Sequence, residues 1–417
     1  MEQDKNRDSS VKPGPLEGIK IVEYGVFHAG PGGTAILGDL GAEIIKIEAP
    51  AGDPIRYWTD VGSIDLSKKD GESIMFEISN RNKKNICLDI KQDEGRAVFE
   101  RLITSADVFM TNLRKSTKKK LKIDYEPIKA LNPKIIHASV SGYGAEGMMA
   151  DIGAFDPLGQ ACSGMMFVTG QPIPAPLQLG ILDQATAISL SHAIITALLA
   201  RERQGHGQEV HTSLYGTSLW LQHPNLLLHN ALGINPCVEA NRLVHSPLRN
   251  TFCCKDGRWI MGTHHPEERY WKTFCEITDQ TQLLDDPDYT DDMGRPKNYE
   301  RLIEIFDNVF SHKTMFEWMV DFQKHRMMFC PVQRIEDVQH DPQAQANEFI
   351  KAVDYKGLGK INVPGYPISF SENDAGIKTE APVIGQHSRQ VLEENGFSKE
   401  EIQTLSEKGI IKQAIPN

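Results

Sequence analysis

The chain has 417 residues, with 45 Lys and Arg against 56 Asp and Glu, which gives a net charge of -11. This length exceeds one typical hydrophobic core, so two domains are expected. The acidic balance argues against nucleic acid as a partner, because phosphate binding needs a positive surface. The seven cysteines include no Cys-x-x-Cys pair, which argues against a disulfide framework or a zinc site and suits a reducing cytoplasm.

The start of the chain, residues 1–15, is highly charged and is predicted to form a disordered tail rather than a signal peptide. The longest apolar stretch, residues 187–200, is interrupted by Ser, His and Thr, which indicates a buried helix rather than a membrane span. We therefore expect a cytoplasmic protein without a membrane partner.

Strands and helices alternate through the first part of the chain. The pattern predicts strands at residues 19–24, 43–48, 85–90, 108–111 and 135–140, and helices at residues 34–40, 94–105 and 125–131. Such alternation implies a mostly parallel α/β sheet covered on both faces.

The alternation stops near residue 231, and Asp256-Gly257 is a hairpin signal between two apolar runs. We therefore expect a smaller α+β domain at residues 231–339. The large domain is then built from residues 16–230 and 340–417, and it ends in two short helices at residues 388–394 and 399–408.

A glycine-rich segment follows the first predicted strand. Residues 30–35 partly match a dinucleotide-binding pattern, and Glu48 lies where a ribose-binding acid is expected. In that pattern the first glycine directly follows the strand, whereas five residues separate Tyr24 from Gly30 here. The match to an NAD site is therefore weak, although a glycine-rich turn before a helix still favours an anionic ligand.

Basic residues are concentrated in two segments, residues 81–84 before a strand and residues 112–120 after one. In a parallel sheet, the loops that leave the carboxyl ends of the strands form the ligand crevice, so Arg114 is predicted at this edge. A solvated charged face explains the run of Lys118 to Lys120 equally well.

One carboxylate, Asp156, lies between a glycine-punctuated loop and an apolar segment. A carboxylate in apolar surroundings can be partly desolvated and can attack a carbonyl carbon as a covalent catalyst. An Asp followed by Pro also commonly caps the first turn of a helix. Local sequence favours the cap and leaves both roles open.

Many short motifs of this chain occur in the order in which family III CoA-transferases carry them. The matching segments are residues 16–23, 28–31, 39–48, 52–54, 82–84, 111–114, 139–143, 155–156, 160–164, 203–208, 341–342 and 382–387. Each motif is weak alone, but their order makes the resemblance specific, and it spans residues 16–411.

The resemblance implies a Rossmann-like large domain, a small middle domain and an interlocked homodimer. It implies coenzyme A in an acyl-CoA and a carboxylic acid as substrates, with no permanently bound cofactor and no metal. Asp156 matches the catalytic aspartate of the family, and Gly142, Tyr143 and Phe155 match its active-site loop and pocket. The positions that match CoA contacts are His28, Ala29, Asn82, Lys84, Asn112 and Arg114. Formyl-CoA transferase has Gln where this chain has His28, which leaves the role of His28 open.

The implied reaction begins when the Asp156 carboxylate attacks an acyl-CoA thioester, giving a mixed anhydride and free CoA thiolate. The thiolate returns to form an aspartyl-CoA thioester, which the acceptor carboxylate then attacks. A second thiolate attack yields the new acyl-CoA. Covalent catalysis thus divides one difficult exchange into easier steps.

Two other classes of function are compatible with the same motifs. An α-methylacyl-CoA racemase of this fold uses a His directly before the Asp, with a later Asp as partner. Here Phe155 replaces that His, and only the later acid is matched, by Asp183. A non-catalytic acyl-CoA binder is the other alternative, and retention of Asp156 argues against it.

Overall fold

A computed structural model describes residues 12–168, 170, 173–177, 179–235, 241–290 and 294–414. The chain divides into two compact units, a large one of residues 1–236 and 348–417 and a small one of residues 237–347. The boundaries expected from sequence, residues 231 and 339, lie near this division.

The strands of the described residues are β1 (Lys20–Glu23), β2 (Glu43–Glu48), β3 (Asp60–Val61), β4 (Ile64–Asp65), β5 (Lys83–Leu88), β6 (Val108–Thr111), β7 (Ile136–Ser141), β8 (Gln208–Ser213), β9 (Thr251–Cys253), β10 (Trp259–Gly262), β11 (Phe329–Val332), β12 (Ile350–Tyr355), β13 (Gly359–Pro364) and β14 (Ile411–Lys412).

The α-helices of the same residues are α1 (Ala29–Asp39), α2 (Met75–Asn80), α3 (Asp93–Thr104), α4 (Lys115–Leu121), α5 (Tyr125–Leu131), α6 (Asp156–Cys162), α7 (Ile181–Gln204), α8 (Leu214–Leu221), α9 (His223–Leu232), α10 (Glu268–Ile277), α11 (Tyr299–Phe310), α12 (Met315–Lys324), α13 (Ile335–Val338), α14 (Pro342–Ala346), α15 (Ser388–Glu394) and α16 (Lys399–Glu407).

The large unit is built on a seven-stranded sheet with the order β14-β5-β2-β1-β6-β7-β8. Its neighbouring strands are parallel except for the β14–β5 pair, which is antiparallel. The prediction of a mixed α/β fold with a large, mostly parallel sheet is therefore confirmed.

Each face of this sheet packs against helices. Val22 and Ile45 point to one face, where they join buried residues of α3, α5, α15 and α16. Ile21 and Ile44, the neighbours of these residues in sequence, point to the other face and pack with α1 and α7. The alternation of side chains along a strand explains why both neighbours are apolar in a sheet covered on both sides.

The small unit contains an antiparallel sheet of order β11-β10-β9 and helices α10 to α12. The predicted hairpin is confirmed: β9 pairs with β10 through a turn in which the Gly257 N–H donates to the Cys254 carbonyl at 2.9 Å. Stacked phenylalanines form the core, with the rings of Phe322 and Phe329 3.9 Å apart.

The glycine-rich segment lies inside a helix rather than in a turn, because α1 begins at Ala29 and not at residue 34 as expected. A Cβ atom at Gly33 would lie 2.7 Å from the side chain of Leu190 on α7. These glycines therefore allow α1 and α7 to approach closely, which explains their presence without a dinucleotide.

Two further expectations concern chain segments. Residues 1–11 of the predicted disordered tail lie outside the described residues, while Lys12 N–H donates to the Asp374 carboxylate at 3.0 Å. The helix expected at residues 187–200 is the longer α7, which by length and composition alone could cross a membrane. The buried helix expected here packs Leu190 and Ile194 into the core on one side, and leaves Ile188 and Leu199 exposed on the other.

Candidate active site

Asp156 is the first residue of α6, and the extended Phe155 precedes it as the N-cap residue. The carboxylate of Asp156 is directed at the start of α7 rather than back at α6. Only 5% of Asp156 is exposed. Asp156 therefore does not cap α6, its own helix. Its carboxylate instead accepts hydrogen bonds from backbone N–H groups in the first turn of α7.

Three donors hold the Asp156 carboxylate. The Gln160 side chain donates to Oδ1 at 2.5 Å, and the backbone N–H groups of Leu182 and Asp183 donate to Oδ2 at 2.6 and 2.9 Å. The positive end of the 24-residue helix α7 adds to the stabilisation of this anion. The carboxylate is thus fixed in orientation, and Oδ1 keeps capacity beyond its single donor.

A cavity of about 960 Å³ lies in front of these elements, at the carboxyl ends of β1, β6 and β7. Six of the residues predicted for the site line it: His28, Ala29, Asn112, Arg114, Gly142 and Phe155. Asp183 also lines the cavity. Asp156 itself is not among the lining residues, although the adjacent Phe155 and the hydrogen-bonded Asp183 are, and the half-buried Tyr143 is not among them either.

Polar side chains hydrogen-bond the backbone of the loop between β1 and α1. Asn112 accepts the N–H of Val26 at 2.9 Å and donates to the Val26 carbonyl at 2.6 Å. Asp53 accepts the N–H of Phe27 at 3.1 Å and binds the buried ammonium of Lys46 at 3.0 Å. Asn112 therefore shapes the cavity through the backbone, and its amide is not directed at a ligand.

His28 precedes α1 and uses both ring nitrogens. Nε2 donates to Gln184 Oε1 at 3.0 Å, so Nδ1 accepts the Ser79 hydroxyl at 2.5 Å. Burial lowers the pKa of His28 to about 4, against the opposing effect of the Gln184 hydrogen bond. His28 is therefore neutral at pH 7, and its two hydrogen bonds connect α2 with α7.

The exposed Arg114 lies at the edge of the cavity, just before α4. Within the described part of the chain, its guanidinium has no hydrogen bond or ion pair, and Lys115 and Lys118 line the cavity beside it. A Cβ at Gly153 would lie 2.6 Å from the guanidinium, so this glycine leaves room for the arginine. An unpaired arginine with neighbouring lysines suits phosphate groups.

Gly142 lies where β7 passes the segment that leads into α6. A Cβ at this position would lie 2.5 Å from the Cβ of Ala154, so only glycine permits the observed approach. Phe155 then meets Phe27 edge-to-face, with ring centroids 5.1 Å apart. This aromatic pair gives the cavity an apolar wall next to the carboxylate.

Asp183 differs from Asp156 although the two are neighbours. Its half-buried carboxyl has no hydrogen bond or ion pair among the described residues. Burial, and then the negative charge of Asp156, raise the pKa of Asp183 to about 7. The site thus places an anchored carboxylate beside a carboxyl that is about half protonated at pH 7.

Asn82 and Lys84 do not reach this cavity. The Asn82 amide binds Asp39 and the backbone of residues 376, 378 and 379, and the Lys84 ammonium pairs with Glu43 and Glu394 at 2.7 and 2.6 Å. Both residues line a second cavity of about 630 Å³. Lys84 was expected before a strand but lies within β5, which turns its side chain toward α15.

Sequence reasoning missed two features of the site. Gln160 is four residues after Asp156 on one helix, a spacing that brings side chains together and could have revealed this contact. The amides of residues 182 and 183 carry no sequence signal, because any residue offers a backbone N–H. No group of three or more His, Cys, Asp or Glu that could hold a metal occurs among the described residues.

Comparisons with known proteins identify the family of this chain. The model of the CoA-transferase family III matches residues 16–388. An acyl-CoA transferase of Fusarium pseudograminearum is 33% identical, with 97% of this chain and 90% of the relative covered. An (R)-2-hydroxy-4-methylpentanoate CoA-transferase of Clostridioides difficile is 30% identical, with 95% of this chain and 99% of the relative covered.

Solved structures show the same fold. A CAIB/BAIF family protein from Brucella suis superposes with a TM-score of 0.80 at 26% identity, covering 92% of this chain and 100% of its own. Rv3272 from Mycobacterium tuberculosis gives a TM-score of 0.78 at 25% identity, covering 91% of this chain and 99% of its own. The protein is a transferase that belongs to CoA-transferase family III.

Proposed function

We propose that this protein moves CoA from an acyl-CoA donor to a carboxylic acid acceptor, with Asp156 as the covalent carrier. The observation that carries the proposal is the anchored Asp156 carboxylate, which is desolvated, fixed by three donors and adjacent to the large cavity. Family membership supports the general reaction, and the geometry supports the choice of residue.

The two oxygens of Asp156 suit two different steps. Oδ1 has one donor and is the better nucleophile toward the thioester carbonyl carbon. When CoA thiolate later attacks the Asp156 carboxyl carbon, negative charge develops on Oδ2, which already has two backbone donors at 2.6 and 2.9 Å. Donors already directed at the developing charge stabilise that transition state.

The remaining predicted residues take supporting roles in the proposal. Arg114 with its neighbouring lysines binds CoA phosphates, while Asn112, His28 and Ala29 shape the wall of the cavity. Phe155 closes the apolar side, and Gly142 allows the close passage of the loop. The proposed contacts of Asn82, Lys84 and Tyr143 with CoA or substrate stay predictions, because none of the three lines this cavity.

A racemase reaction is disfavoured at this site. It requires an imidazole that exchanges protons near neutral pH, and Phe155 occupies the position before Asp156. The cavity contains His28 and His211, but burial lowers the pKa of both, to about 4 for His28. Both nitrogens of His28 are also engaged.

We also propose an interlocked homodimer with a Rossmann-like large domain in each chain, located in the cytoplasm and without a bound cofactor. The homodimer is supported by exposed apolar side chains on α7 to α9 of the large unit, including Ile188, Trp220 and Leu227. A second copy of the chain that covers these side chains would remove apolar surface from water.

The test combines an activity matrix with detection of the covalent carrier. The wild type is incubated with each of a set of acyl-CoA donors and carboxylic acid acceptors, and CoA exchange is followed by chromatography. Mass spectrometry of digested protein should find CoA attached to the peptide with Asp156. Asp156→Ala and the isosteric Asp156→Asn should abolish transfer and the adduct, while Asp151→Asn should keep both. Full transfer by Asp156→Ala would disprove the mechanism.

A further inference from the structure

Asp183 is an acid that lines the cavity. Its backbone N–H is bound to Asp156, whereas its carboxyl has no partner among the described residues. Its N–H donates to Asp156 Oδ2 at 2.9 Å, whereas its carboxyl lines the cavity without a hydrogen-bond or ion-pair partner in the described part of the chain. A half-buried carboxyl that lines a cavity and has no protein partner is available to hydrogen-bond a ligand bound there.

The charges around Asp183 come from several elements. The negative charge of Asp156 on α6 acts on Asp183 electrostatically. His28 ahead of α1 is neutral at pH 7, and Arg114 and Lys118 lie at the wall formed by the β6–α4 region. Glu209 and His211 on β8 also line the cavity, as do Lys115, Lys119, Asp124, Tyr125, Glu126 and Glu146.

We propose that the Asp183 carboxyl, in its protonated form, donates a hydrogen bond to the carbonyl oxygen of the acyl group that reacts with Asp156. This inference rests on the proposed function, and it deepens it by adding a second catalytic residue. When Asp156 Oδ1 bonds to the thioester carbon, the carbonyl electron pair moves to oxygen, and the donor of Asp183 stabilises that oxyanion. Collapse of the intermediate breaks the C–S bond and releases CoA thiolate, and the proton stays on Asp183.

The two carbonyl groups of the reaction then have separate donors. The backbone N–H groups of residues 182 and 183 stabilise the oxyanion on Asp156 itself, and the Asp183 carboxyl stabilises the oxyanion on the substrate. A second ionised carboxylate in this place would repel the oxyanion, the nucleophile and the incoming acceptor acid. Burial and the charge of Asp156 raise the pKa of Asp183 to about 7, so that its carboxyl is mostly protonated below neutral pH and about half protonated at pH 7.

The experiment compares Asp183→Asn and Asp183→Ala with the wild type across pH 6 to 9. The amide of Asp183→Asn keeps a donor but cannot ionise, whereas Asp183→Ala removes the donor. The wild-type kcat should fall above about pH 7, as the pKa of Asp183 implies. Asp183→Asn should keep transfer within about tenfold at pH 6 and lose this alkaline decline. Asp183→Ala should lose about 10²- to 10³-fold relative to the wild type at pH 6, and this difference should shrink toward pH 9, where the wild-type carboxyl has lost the same proton.

Glu202→Gln, which removes an exposed charge from the far end of α7, is the matched control and should keep the wild-type pH profile. An Asp183→Asn protein that keeps the alkaline decline, or loses as much activity at pH 6 as Asp183→Ala, would overturn the inference. Formation of the Asp156–CoA adduct in Asp183→Asn, measured by mass spectrometry, separates this failure from failure of the proposed function, in which even the wild type forms no adduct.

Discussion

At the scale of single residues, the site depends on how neighbouring polar groups differ in burial and partners. Asp156 and Asp183 are both acids, yet one has three donors and the other has none among the described residues. His28 is an imidazole with both nitrogens occupied, so it orients neighbouring helices and does not exchange protons. Residue type alone would not have separated these roles.

His137 on β7 provides a residue-scale prediction for stability. It is fully buried, Nε2 donates to the Ile123 carbonyl at 3.0 Å, and burial lowers its pKa from 6.5 to about 4. As pH falls below 6.5, His137 takes up a proton in the unfolded chain but stays neutral in the folded chain. The contribution of His137 to the free energy of unfolding is therefore fully present above pH 6.5 and declines toward pH 4. The loss should reach about 3 kcal/mol, at ~1.4 kcal/mol per pH unit.

Urea denaturation at pH 7.5 and 4.5 measures this loss. His137→Gln, which keeps an N–H donor for Ile123, should reduce the difference between the two pH values by about 2 kcal/mol relative to the wild type. His340→Gln, a change of an exposed histidine in the small unit, is the control and should leave the difference unaltered. An identical pH dependence in His137→Gln and the wild type would contradict the assignment.

At the scale of elements, the approach of β7 to the segment before α6 places the carboxylate. Gly142 and Ala154 are so close that a Cβ at residue 142 would lie 2.5 Å from that of Ala154. The next residues along the chain are Phe155 and Asp156, so a shift of this segment moves the nucleophile. The glycine is therefore needed for the packing of two chain segments and not for a turn.

Gly142→Ala should lower transfer by about 10- to 100-fold, because a displacement of about 1 Å is enough to misalign a reacting group. Ala154→Gly removes the methyl group that the new Cβ would meet, so the double variant should recover most of the activity. Steady-state kinetics of both single variants and the double variant measure the rescue. A double variant no more active than Gly142→Ala would show that the contact does not position Asp156.

A buried network of charged side chains holds the loop between β1 and α1, which lines the cavity. Glu23, Lys46 and Asp53 have side chains that are 0% exposed, and Lys46 binds both carboxylates as well as the Gly25 carbonyl. Their mutual attraction raises the pKa of Lys46 against the effect of burial. Because each charge compensates another, this network holds the β1–α1 loop in one conformation.

At the scale of the whole molecule, exposed apolar surface on the large unit supports the proposed homodimer and provides a test of it. Trp220 is 75% exposed, Leu227 60% and Leu232 65%, all on α8 and α9. Light scattering after size exclusion should therefore give twice the 46.6 kDa of one chain. Trp220→Lys with Leu227→Lys should shift the population toward monomer, and the exposed Phe316→Lys of the small unit serves as control. A monomeric wild type would refute the dimer.

Local patterns were sufficient for many elements. The hairpin at Asp256-Gly257 and the helix expected at residues 399–408, which is α16 with Ser398 as its N-cap residue, follow from short-range backbone preferences. The start of α1 was placed too late, because glycines disfavour a helix locally and tertiary packing against α7 overrode this preference.

The sequence by itself determined the alternation of strands and helices, the candidate Asp156 and, through the order of its motifs, the family. These features depend on residue type and near neighbours. Only the tertiary structure decided which groups meet: the backbone amides of residues 182 and 183 at Asp156, Asp183 in the cavity, and Lys84 outside it. Such contacts join residues far apart in the chain, and backbone donors and burial, which set their chemistry, are not encoded by the identity of any one residue.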